Sequence, residues 1–432
     1  MQLVAALAAI LSPLIAGCLV MLSGALLGER VAKIGIIGLI ISTGGALLSL
    51  YELVQGSPLH LVLSGFPDLI APSLFIDRLS GIMMVLVAGV SLVIHIYSSR
   101  YMQGDPDYVK FFGLLSILTF VLLMLVTSGH LVWLFMAWHA VSWLLRMLLS
   151  FNRNSRAARE AGHTTLCVQG VGDAALLVGF GLIYTTFGTV DLTVLYEMWN
   201  SRAVVPAFGA GTWWEISADT LITLIIALAV LTKSAQFPFH IWLPGTIEAP
   251  TPVSAMLHAG IVNAGGFLVN RLSPLYGSSP GALYVLFAIG ALTALIGALT
   301  MLTQSSIKRT LVYSTMGQMG YMVMECGLGA FALAIFHLCA HGLFKATLFL
   351  NSGTNIHKAR TDFTVPEQHA VSEAEGFSLT TWLVGLLLTL VMPLVMVLLA
   401  HGVISISLFE AQSTMIFMFF AWVTSAQAIF SL

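Results

Sequence analysis

The sequence predicts an all-α integral membrane protein with about 13 transmembrane helices. Of its 432 residues, 58% are hydrophobic and only 8% are charged, against about 25% charged residues in ordinary soluble domains. The mean hydropathy is +0.96, and apolar runs of about 20 residues, the length that crosses about 30 Å of hydrocarbon, recur along the chain. Such a chain cannot cover itself with polar groups in water, which excludes a soluble globular protein.

Thirteen apolar spans follow one another in order. They comprise residues 1–25, 31–53, 79–99, 110–128, 130–151, 164–187, 216–237, 252–273, 281–303, 309–326, 330–351, 377–401 and 403–430. Only Gly129 separates the fourth span from the fifth, so we expect a very tight turn there. The first 24 residues begin without a basic segment and are expected to form a retained helix rather than a cleaved signal.

The connections between these spans predict the orientation of the chain, because cytoplasmic loops carry an excess of Lys and Arg. One set of alternate connections collects Arg30, Lys33, Arg100, Lys110, Arg153, Arg156, Arg159, Lys308, Arg309, Lys358 and Arg360, whereas the other collects Arg78, Arg202 and Arg271. This split places the N-terminus outside and, with an odd number of spans, the C-terminus in the cytoplasm. The outer connection 188–215 is rich in Trp and Tyr and is expected to be a surface loop.

A proline-rich segment interrupts the pattern. After Lys233 the chain reads KSAQFPFHIWLPGTIEAPTP, with prolines at 238, 244, 250 and 252, and no continuous helix passes through such a run. Pro393 marks a second, weaker break in the span 377–401. Two broken spans five helices apart predict two inverted five-helix repeats. We therefore divide the chain into N-terminal helices (1–109), a first repeat (110–273) and a second repeat (274–432).

Ionisable residues inside apolar spans indicate function, because each costs about 2.5–3.5 kcal/mol to insert. Lys233 is the strongest candidate, since it lies deep in its span and directly before the break. Because burial disfavours the charged form of an amine, a lysine there can load and release a proton. The alternative is that its long side chain reaches an interface. Asp173 is an acid early in its span, and we expect it to pair with a basic residue.

The run HLCAHGLFK places His337, His341 and Lys345 at positions i, i+4 and i+8. Residues at this spacing stack on one helix face, which predicts a path for protons. Zinc or haem ligation is a weaker alternative, because no glutamate follows the first histidine and no third ligand is evident. Histidines satisfied by neighbouring carbonyl groups are a structural alternative for these residues and for His258. The four cysteines lie in apolar runs and are expected to be buried thiols.

Several chemistries have no motif in this chain. There is no GxxxxGK[ST] loop and no CxxC pair, and neither GxGxxG nor GxSxG stands between a strand and a helix. Nucleotide hydrolysis, hydride transfer, iron–sulfur chemistry and acyl transfer are therefore not predicted. We expect no metal and no cofactor in this chain. No basic tract indicates nucleic acid. Energy must come from an ion gradient or from a partner chain.

Three motifs closely resemble the antiporter-like membrane subunits of respiratory complex I, Mrp-type sodium/proton antiporters and DabB inorganic-carbon pumps. They are TKSAQFPFHIWLPGTIEAPTPVSAMLHAG (232–260), SSIKRTLVYSTMGQMGYM (305–322) and IFHLCAHGLFKATLFLNSG (335–353). The resemblance covers about residues 60–360. It implies a core of two inverted five-helix repeats, each with a broken helix, in agreement with the reading from prolines.

The resemblance also implies roles for individual residues. Lys233 matches the family's lysine on the first broken helix, and His258 matches a histidine on the next helix. His337, His341 and Lys345 match the central hydrophilic axis. Asp173 falls on a family acid.

The chain departs from the family pattern at two positions. His139, in AWHAVSW, stands where the family has a glutamate that pairs with the broken-helix lysine. That anionic partner is lost unless Asp173 or another acid replaces it. After Pro393 the family's charged residue is missing, and His401 lies near its place, so the second half-channel is expected to be altered or non-conducting. His240 lies within the first break.

Within residues 1–432 no segment resembles the long lateral helix of the complex I subunit, so the resemblance to DabB is expected to be the closest. It implies a subunit of the bacterial inner membrane that conducts protons, or alternatively sodium, and drives inorganic-carbon uptake with a large zinc-containing DabA-like partner. Rival interpretations are a redox-driven pump subunit of complex I, an Mrp antiporter subunit and a non-conducting membrane scaffold.

Overall fold

The computed structural model describes residues 1–201, 207–208 and 215–361, with side chains for 1–201 and 215–353. The helices are Gln2–Leu27 (α1), Val31–Gln55 (α2), Arg78–Tyr101 (α3), Tyr108–Thr127 (α4), Leu131–Leu149 (α5), Arg156–Phe187 (α6), Leu192–Asn200 (α7), Ala218–Lys233 (α8), Thr251–Ala259 (α9), Ala264–Arg271 (α10), Ser273–Gly277 (α11), Pro280–Leu302 (α12), Ile307–Gly327 (α13) and Phe331–Thr361 (α14). Two antiparallel hairpins pair Leu59–Val62 (β1) with Ser73–Ile76 (β2), and Ala207–Phe208 (β3) with Ile216–Ser217 (β4).

The helical, multi-pass membrane character predicted from composition is confirmed. In the described residues, 8 helical segments are long and apolar enough to cross a membrane, the first being α1 and α2 taken together over 54 residues. Helix α8 falls outside this set because it has only 16 residues. The total of 13 spans stays a prediction. The predicted spans 377–401 and 403–430, with Pro393, lie outside the described residues.

The connections meet at two opposite ends of the helix bundle. We call the connections 28–30, 102–107, 150–155 and 303–306 the basic end, where the Glu29 carboxylate accepts a hydrogen bond from the Gly104 amide at 2.7 Å. The connections 56–77, 128–130 and 188–191 form the hairpin end, where the Gly129 amide donates to the Ser73 carbonyl oxygen at 3.0 Å. Alternate loops of the sequence therefore do share an end, as the distribution of Lys and Arg predicts.

A buried arginine fastens the hairpin end. Arg271, at the end of α10, is 1% exposed. Its guanidinium donates to Asp77 Oδ2 at 3.0 Å, to Ser80 Oγ at 2.5 Å and to the Val126 carbonyl oxygen at 3.1 Å. The Tyr196 hydroxyl donates to the Arg271 carbonyl oxygen. One side chain thus joins α3, α4 and α10, and its backbone receives α7.

Three elements near the membrane surface differ from the sequence expectation. Helix α6 begins at Arg156 rather than at 164, because Ser155 Oγ caps the Ala158 amide at 3.2 Å and the helix continues beyond the apolar span. The expected surface loop 188–215 contains α7, whose first turn is capped by Asp191 at 2.9 Å from the Thr193 amide. The strands β1 and β2 have four residues each, too few to register as an apolar span. Hydropathy detects passage through lipid, not structure at its surface.

Helices α12 and α13 pack through glycines. A Cβ atom added to Gly297 would lie 2.5 Å from the Gly317 amide nitrogen, and one added to Gly290 would lie 2.5 Å from the Met324 amide nitrogen. Such approach of two backbones requires residues without side chains, and membrane helices commonly associate through small residues. This glycine seam, formed by Gly290, Gly297, Gly317 and Gly320, holds α12 against α13.

Candidate functional site: a buried lysine beside a broken helix

The predicted break of the helix is confirmed, and it places Lys233. Helix α8 ends at Lys233, after which residues 234–250 contain only short 3₁₀ turns at Phe239–Trp242 and Pro244–Glu248. Ala235 has a positive φ of 50°, a conformation that no helix continues. The prolines then prevent an α-helix from reforming before Thr251. The Lys233 side chain is 1% exposed, so the alternative in which it reaches an interface does not hold.

The Lys233 ammonium is held by oxygen atoms from two neighbouring helices. Nζ donates to the Trp138 carbonyl oxygen at 3.0 Å, to Ser142 Oγ at 2.6 Å and to Gln169 Oε1 at 3.3 Å. It also lies 4.7 Å from the centre of the Trp138 ring, within the range of a cation–π interaction. Helices α5 and α6 thus supply a polar cradle inside the bundle.

Asp173 provides the anionic partner of this lysine. Its Oδ1 lies 3.8 Å from Lys233 Nζ, and its side chain is 5% exposed. The other oxygen, Oδ2, lies 2.8 Å from His139 Nδ1. Asp173, on α6, therefore supplies the negative charge beside Lys233 that residue 139, a histidine on α5, does not.

His139 extends this pair towards the surface. The Trp143 indole donates to His139 Nε2 at 2.9 Å. Because an indole N–H is only a donor, Nε2 must accept and the ring proton must lie on Nδ1, where it faces Asp173. The His139 side chain is 42% exposed. A continuous series of contacts therefore leads from the surface of α5 to the buried amine, through Trp143, His139, Asp173 and Lys233.

A second polar group lies along α14. His337 Nδ1 is 3.0 Å from Glu325 Oε1, and its Nε2 is 2.9 Å from Gln318 Oε1. With an oxygen acceptor at each ring nitrogen, the site suits a doubly protonated imidazolium. Lys345, 1% exposed, donates to Ser314 Oγ at 2.7 Å. Both side chains therefore face α13.

His341 and His258 lie buried between these two groups. His341 is 5% exposed, and its ring centre is 6.3 Å from that of His337. His258, on α9, is fully buried and stacks on Phe349 of α14 with ring centres 4.3 Å apart. Within the described part of the chain, neither ring nitrogen of His258 nor Nε2 of His341 has a hydrogen-bond partner.

The unpartnered polar atoms mark the region between the two lysines. In the described residues they include the two histidines together with Gln169 Nε2, Gln236 Oε1 and Asn263 Oδ1. Buried polar atoms of this kind ordinarily bind ordered water. Contacts link the region from end to end: Ser234 Oγ donates to the Val262 carbonyl oxygen at 2.7 Å, and a Cβ on Gly342 would lie 2.7 Å from the Ala259 carbonyl oxygen.

Two remaining candidates do not join this arrangement. His240 lies in the first 3₁₀ turn and stacks on Phe237 with ring centres 5.7 Å apart, and the structure gives it no hydrogen bond to another candidate residue. His401 lies outside the described residues. Sequence reasoning passed over the neutral partners Ser142, Gln169, Ser314 and Gln318. Their signal was helical spacing: Ser142 follows His139 by three residues, and Gln169 precedes Asp173 by four.

The expected burial of all four cysteines is wrong for two of them. Cys18 and Cys167 are exposed, whereas Cys326 is buried and Cys339 partly so. Apolar runs in a membrane protein also form its outer surface, so hydropathy alone does not separate the two environments. Among the residues that the structure describes, no group of three or more His, Cys, Asp or Glu side chains is arranged to hold a metal ion.

Two family models match the chain. Residues 128–427 match the transmembrane region of NADH:quinone oxidoreductases and Mrp antiporters. Residues 70–112 match the N-terminus of NADH-ubiquinone oxidoreductase (complex I) chain 5. The first match includes every candidate site residue.

Known relatives agree with these models. A probable inorganic carbon transporter subunit DabB1 of Halothiobacillus neapolitanus is 43% identical over 430 residues, covering 98% of this chain and 75% of the relative. NADH-ubiquinone oxidoreductase chain 5 of Chondrus crispus is 36% identical, covering 72% and 46%. The Mrp complex of a Dietzia species contains a chain of the same fold, with a TM-score of 0.77, 26% identity and coverage of 99% and 46%.

The chain therefore spans about half the length of the complex I and Mrp relatives and three quarters of the DabB1 relative. The match of the transmembrane model over residues 128–427 and the 43% identity over 98% of the chain are decisive. This chain belongs to the family of antiporter-like, ion-transporting membrane subunits shared by NADH:quinone oxidoreductases and Mrp antiporters.

Proposed function

We propose that this chain is the proton-conducting membrane subunit of an inorganic-carbon uptake complex in a bacterial inner membrane. The observation that carries the proposal is the buried lysine at the broken helix, paired with Asp173 at 3.8 Å and held by three neutral oxygen acceptors. An amine that is buried, adjacent to an acid and next to irregular backbone can exchange a proton within the bundle.

The proposed path uses both polar groups. Protons enter from the hairpin end, pass along His337, His341 and Lys345 on α14, and reach Lys233 by way of His258. Water bound at the unpartnered nitrogens of His258 and His341 would supply the missing hydrogen bonds. From Lys233 the proton passes to Asp173 and leaves towards the basic end, which we assign to the cytoplasm. This assignment places the N-terminus outside the cell.

Ion flow of this kind supplies useful energy to a partner. One elementary charge moving through 100 mV releases about 2.3 kcal/mol, which changes an equilibrium constant about fiftyfold. We propose that the partner is a large zinc-containing DabA-like protein that converts carbon dioxide to bicarbonate. The support is the similarity to a probable DabB1 subunit over 98% of the chain. Sodium in place of protons would use the same carboxylate and carbonyl oxygens.

A second candidate function is that of a pump or antiporter subunit in a redox-driven or Mrp-type complex. It is favoured by the 36% identity to a complex I chain 5 and by the fold shared with an Mrp complex. The neighbouring chains of the purified complex separate the two functions. Iron–sulfur and quinone-binding chains support the redox pump, small hydrophobic subunits support the antiporter, and a soluble zinc protein supports carbon uptake.

The central test is Lys233→Ala in the complete complex, reconstituted in vesicles that contain a pH-sensitive dye. We expect proton flux and partner-dependent carbon uptake to fall to background while the complex stays assembled. The control is Lys33→Ala, because Lys33 is an exposed lysine at the basic end, on α2, and makes no part of the site. Full flux in the Lys233→Ala complex would contradict the proposed path and favour a non-conducting scaffold.

A further inference from the structure

A cavity of about 640 Å³ opens at the basic end, beside the last turns of α5 and the first turns of α6. Its lining includes Lys110, Arg146, Arg153 and Arg159, together with the apolar side chains of Trp143 and Met147. None of these cations belongs to the proposed proton path. The cavity therefore needs an explanation of its own.

The cations of the cavity are not neutralised within the described residues. Its one carboxylate, Glu160, lies 2.6 Å from Nε of Arg156, a residue outside the lining, and is paired with that side chain. Within the described part of the chain, none of the four cations has a carboxylate oxygen within 4.0 Å. The cavity thus keeps an excess of positive charge, which attracts an anion.

Other contacts hold these cations in place. Arg146 lies 5.2 Å from the Trp143 ring centre, and Lys110 lies 5.5 Å from that of Phe151. Arg159 donates to the Arg153 carbonyl oxygen. The first turns of α6, a helix of 32 residues, add the partial positive charge of a helix N-terminus. The arrangement is therefore built before any ligand arrives.

The apolar part of the lining shows which kind of anion fits. Trp143 is 40% exposed and Met147 is 48% exposed, and Met136, seven residues before Trp143, is 55% exposed. The spacing places the three side chains along one face of α5, which also carries His139, running from the cavity at the basic end past the middle of the helix. A small inorganic anion would make no contact with these apolar side chains, whereas the acyl chains of a lipid would pack against them.

We propose that this cavity binds the headgroup of an anionic phospholipid, with its acyl chains along Met136, Trp143 and Met147. The headgroup phosphate would accept hydrogen bonds from Arg146 and Arg159, and Lys110 and Arg153 would add charge at the rim. Basic pockets between transmembrane helices are a known form of lipid recognition. The four cations of the site lie outside the proposed ion path, and the site does not depend on the identity of the partner.

The test is native mass spectrometry of the complete complex in detergent, with phosphatidylglycerol, phosphatidylcholine or inorganic phosphate added. We expect wild-type protein to retain phosphatidylglycerol in preference to phosphatidylcholine. Arg146→Gln/Arg159→Gln should bind it about thirtyfold more weakly, the factor expected for the loss of two basic side chains at a membrane surface. The matched control is Arg30→Gln/Lys33→Gln, which removes two exposed cations at the same end, outside the cavity.

Three results would overturn the proposal. They are unchanged lipid retention in Arg146→Gln/Arg159→Gln, equal binding of inorganic phosphate without lipid, and a co-purified protein chain that occupies the cavity. The single variant Arg153→Gln, in an exposed connection, keeps the proposal testable if the double variant does not fold. It should weaken phosphatidylglycerol binding by a smaller factor while the unfolding temperature is unchanged.

Discussion

At the scale of the residue, the function depends on how a charged amine is kept inside a membrane protein. Lys233 has one acid at 3.8 Å and three neutral acceptors at 2.6–3.3 Å. Breaking a buried ion pair by removing one partner costs about 3–5 kcal/mol, because the remaining charge is uncompensated. Asp173 is therefore expected to serve both stability and transport, and the two roles can be separated.

Asp173→Asn should lower the unfolding temperature and abolish proton flux, because it leaves the Lys233 ammonium without its anion. The double variant Asp173→Asn/Lys233→Met should recover most of the lost stability, since no unpaired charge remains, but no flux. Thermal unfolding in detergent and dye-monitored flux in vesicles measure the two quantities. Asp68→Asn, at an exposed carboxylate of the hairpin end, is the control. Normal flux in the double variant would contradict the assignment.

His258 differs from Asp173, because its substitution is expected to reduce proton flux without lowering stability. Its two ring nitrogens are buried and, in the described residues, unpartnered, while its ring stacks on Phe349. His258→Phe keeps the aromatic contact with Phe349 and removes two buried polar atoms that have no hydrogen-bond partner among the described protein groups. We expect equal or higher thermal stability together with a large loss of flux.

Unchanged flux in His258→Phe would remove His258 from the path. A second variant, Phe349→Leu, serves as the control, because it disturbs the same stack without removing a titratable group. It should lower stability more than flux.

The sequence predicts the charged members of this site but not its neutral ones. Lys233, Asp173, His337 and Lys345 stand out because each is costly in lipid. Ser142, Gln169 and Gln318 are inexpensive at such positions, so composition does not single them out, although they make hydrogen bonds of 2.6, 3.3 and 2.9 Å to the site. Only the three-dimensional arrangement shows that Asp173, rather than residue 139, supplies the negative charge.

At the scale of the element, hydropathy predicts helices well where they cross lipid and poorly elsewhere. Prolines located the break after Lys233 correctly, because the missing N–H and fixed φ act locally. Helix α7 and the N-terminal two turns of α6 were missed, since they owe their existence to caps at Asp191 and Ser155. Their signal was the capping residue rather than an apolar run.

The glycine seam gives a prediction at this scale. Gly297→Ala places a Cβ 2.5 Å from the Gly317 amide nitrogen, so the backbones of α12 and α13 must separate. We expect a loss of about 1–3 kcal/mol, the usual cost of overpacking, seen as a lower unfolding temperature. Gly89→Ala is the matched control, because a Cβ there meets nothing within 4 Å. Equal unfolding temperatures for the two variants would show that the seam is loose.

At the scale of the whole molecule, the alternation of basic and poorly basic connections predicted which loops share an end. It did not predict that Arg271, counted among the loop cations, is 1% exposed and joins three helices. A sequence-based count treats all cations alike. Hydrogen bonding to Asp77 and Val126 makes this one part of the interior.

The proposed orientation can be tested with cysteines introduced at the two ends. Asp68→Cys lies at the exposed hairpin end and Asn154→Cys at the exposed basic end. A membrane-impermeant maleimide added to intact spheroplasts should label the first and not the second, because basic loops remain in the cytoplasm. The unsubstituted chain controls for reaction at the exposed Cys18 and Cys167. The reverse labelling pattern would invert the chain and the proposed direction of flow.

The glycine seam also limits how this molecule can move. The backbones of α12 and α13 are in direct contact at these glycines, with no side chains between them that could adjust. Neither helix can therefore shift or rotate against the other without losing these contacts. We therefore expect the two helices to move as one rigid unit. Any conformational change that accompanies ion passage must then occur elsewhere in the molecule. The break at residues 234–250, which contains only short 3₁₀ turns, is where we expect it.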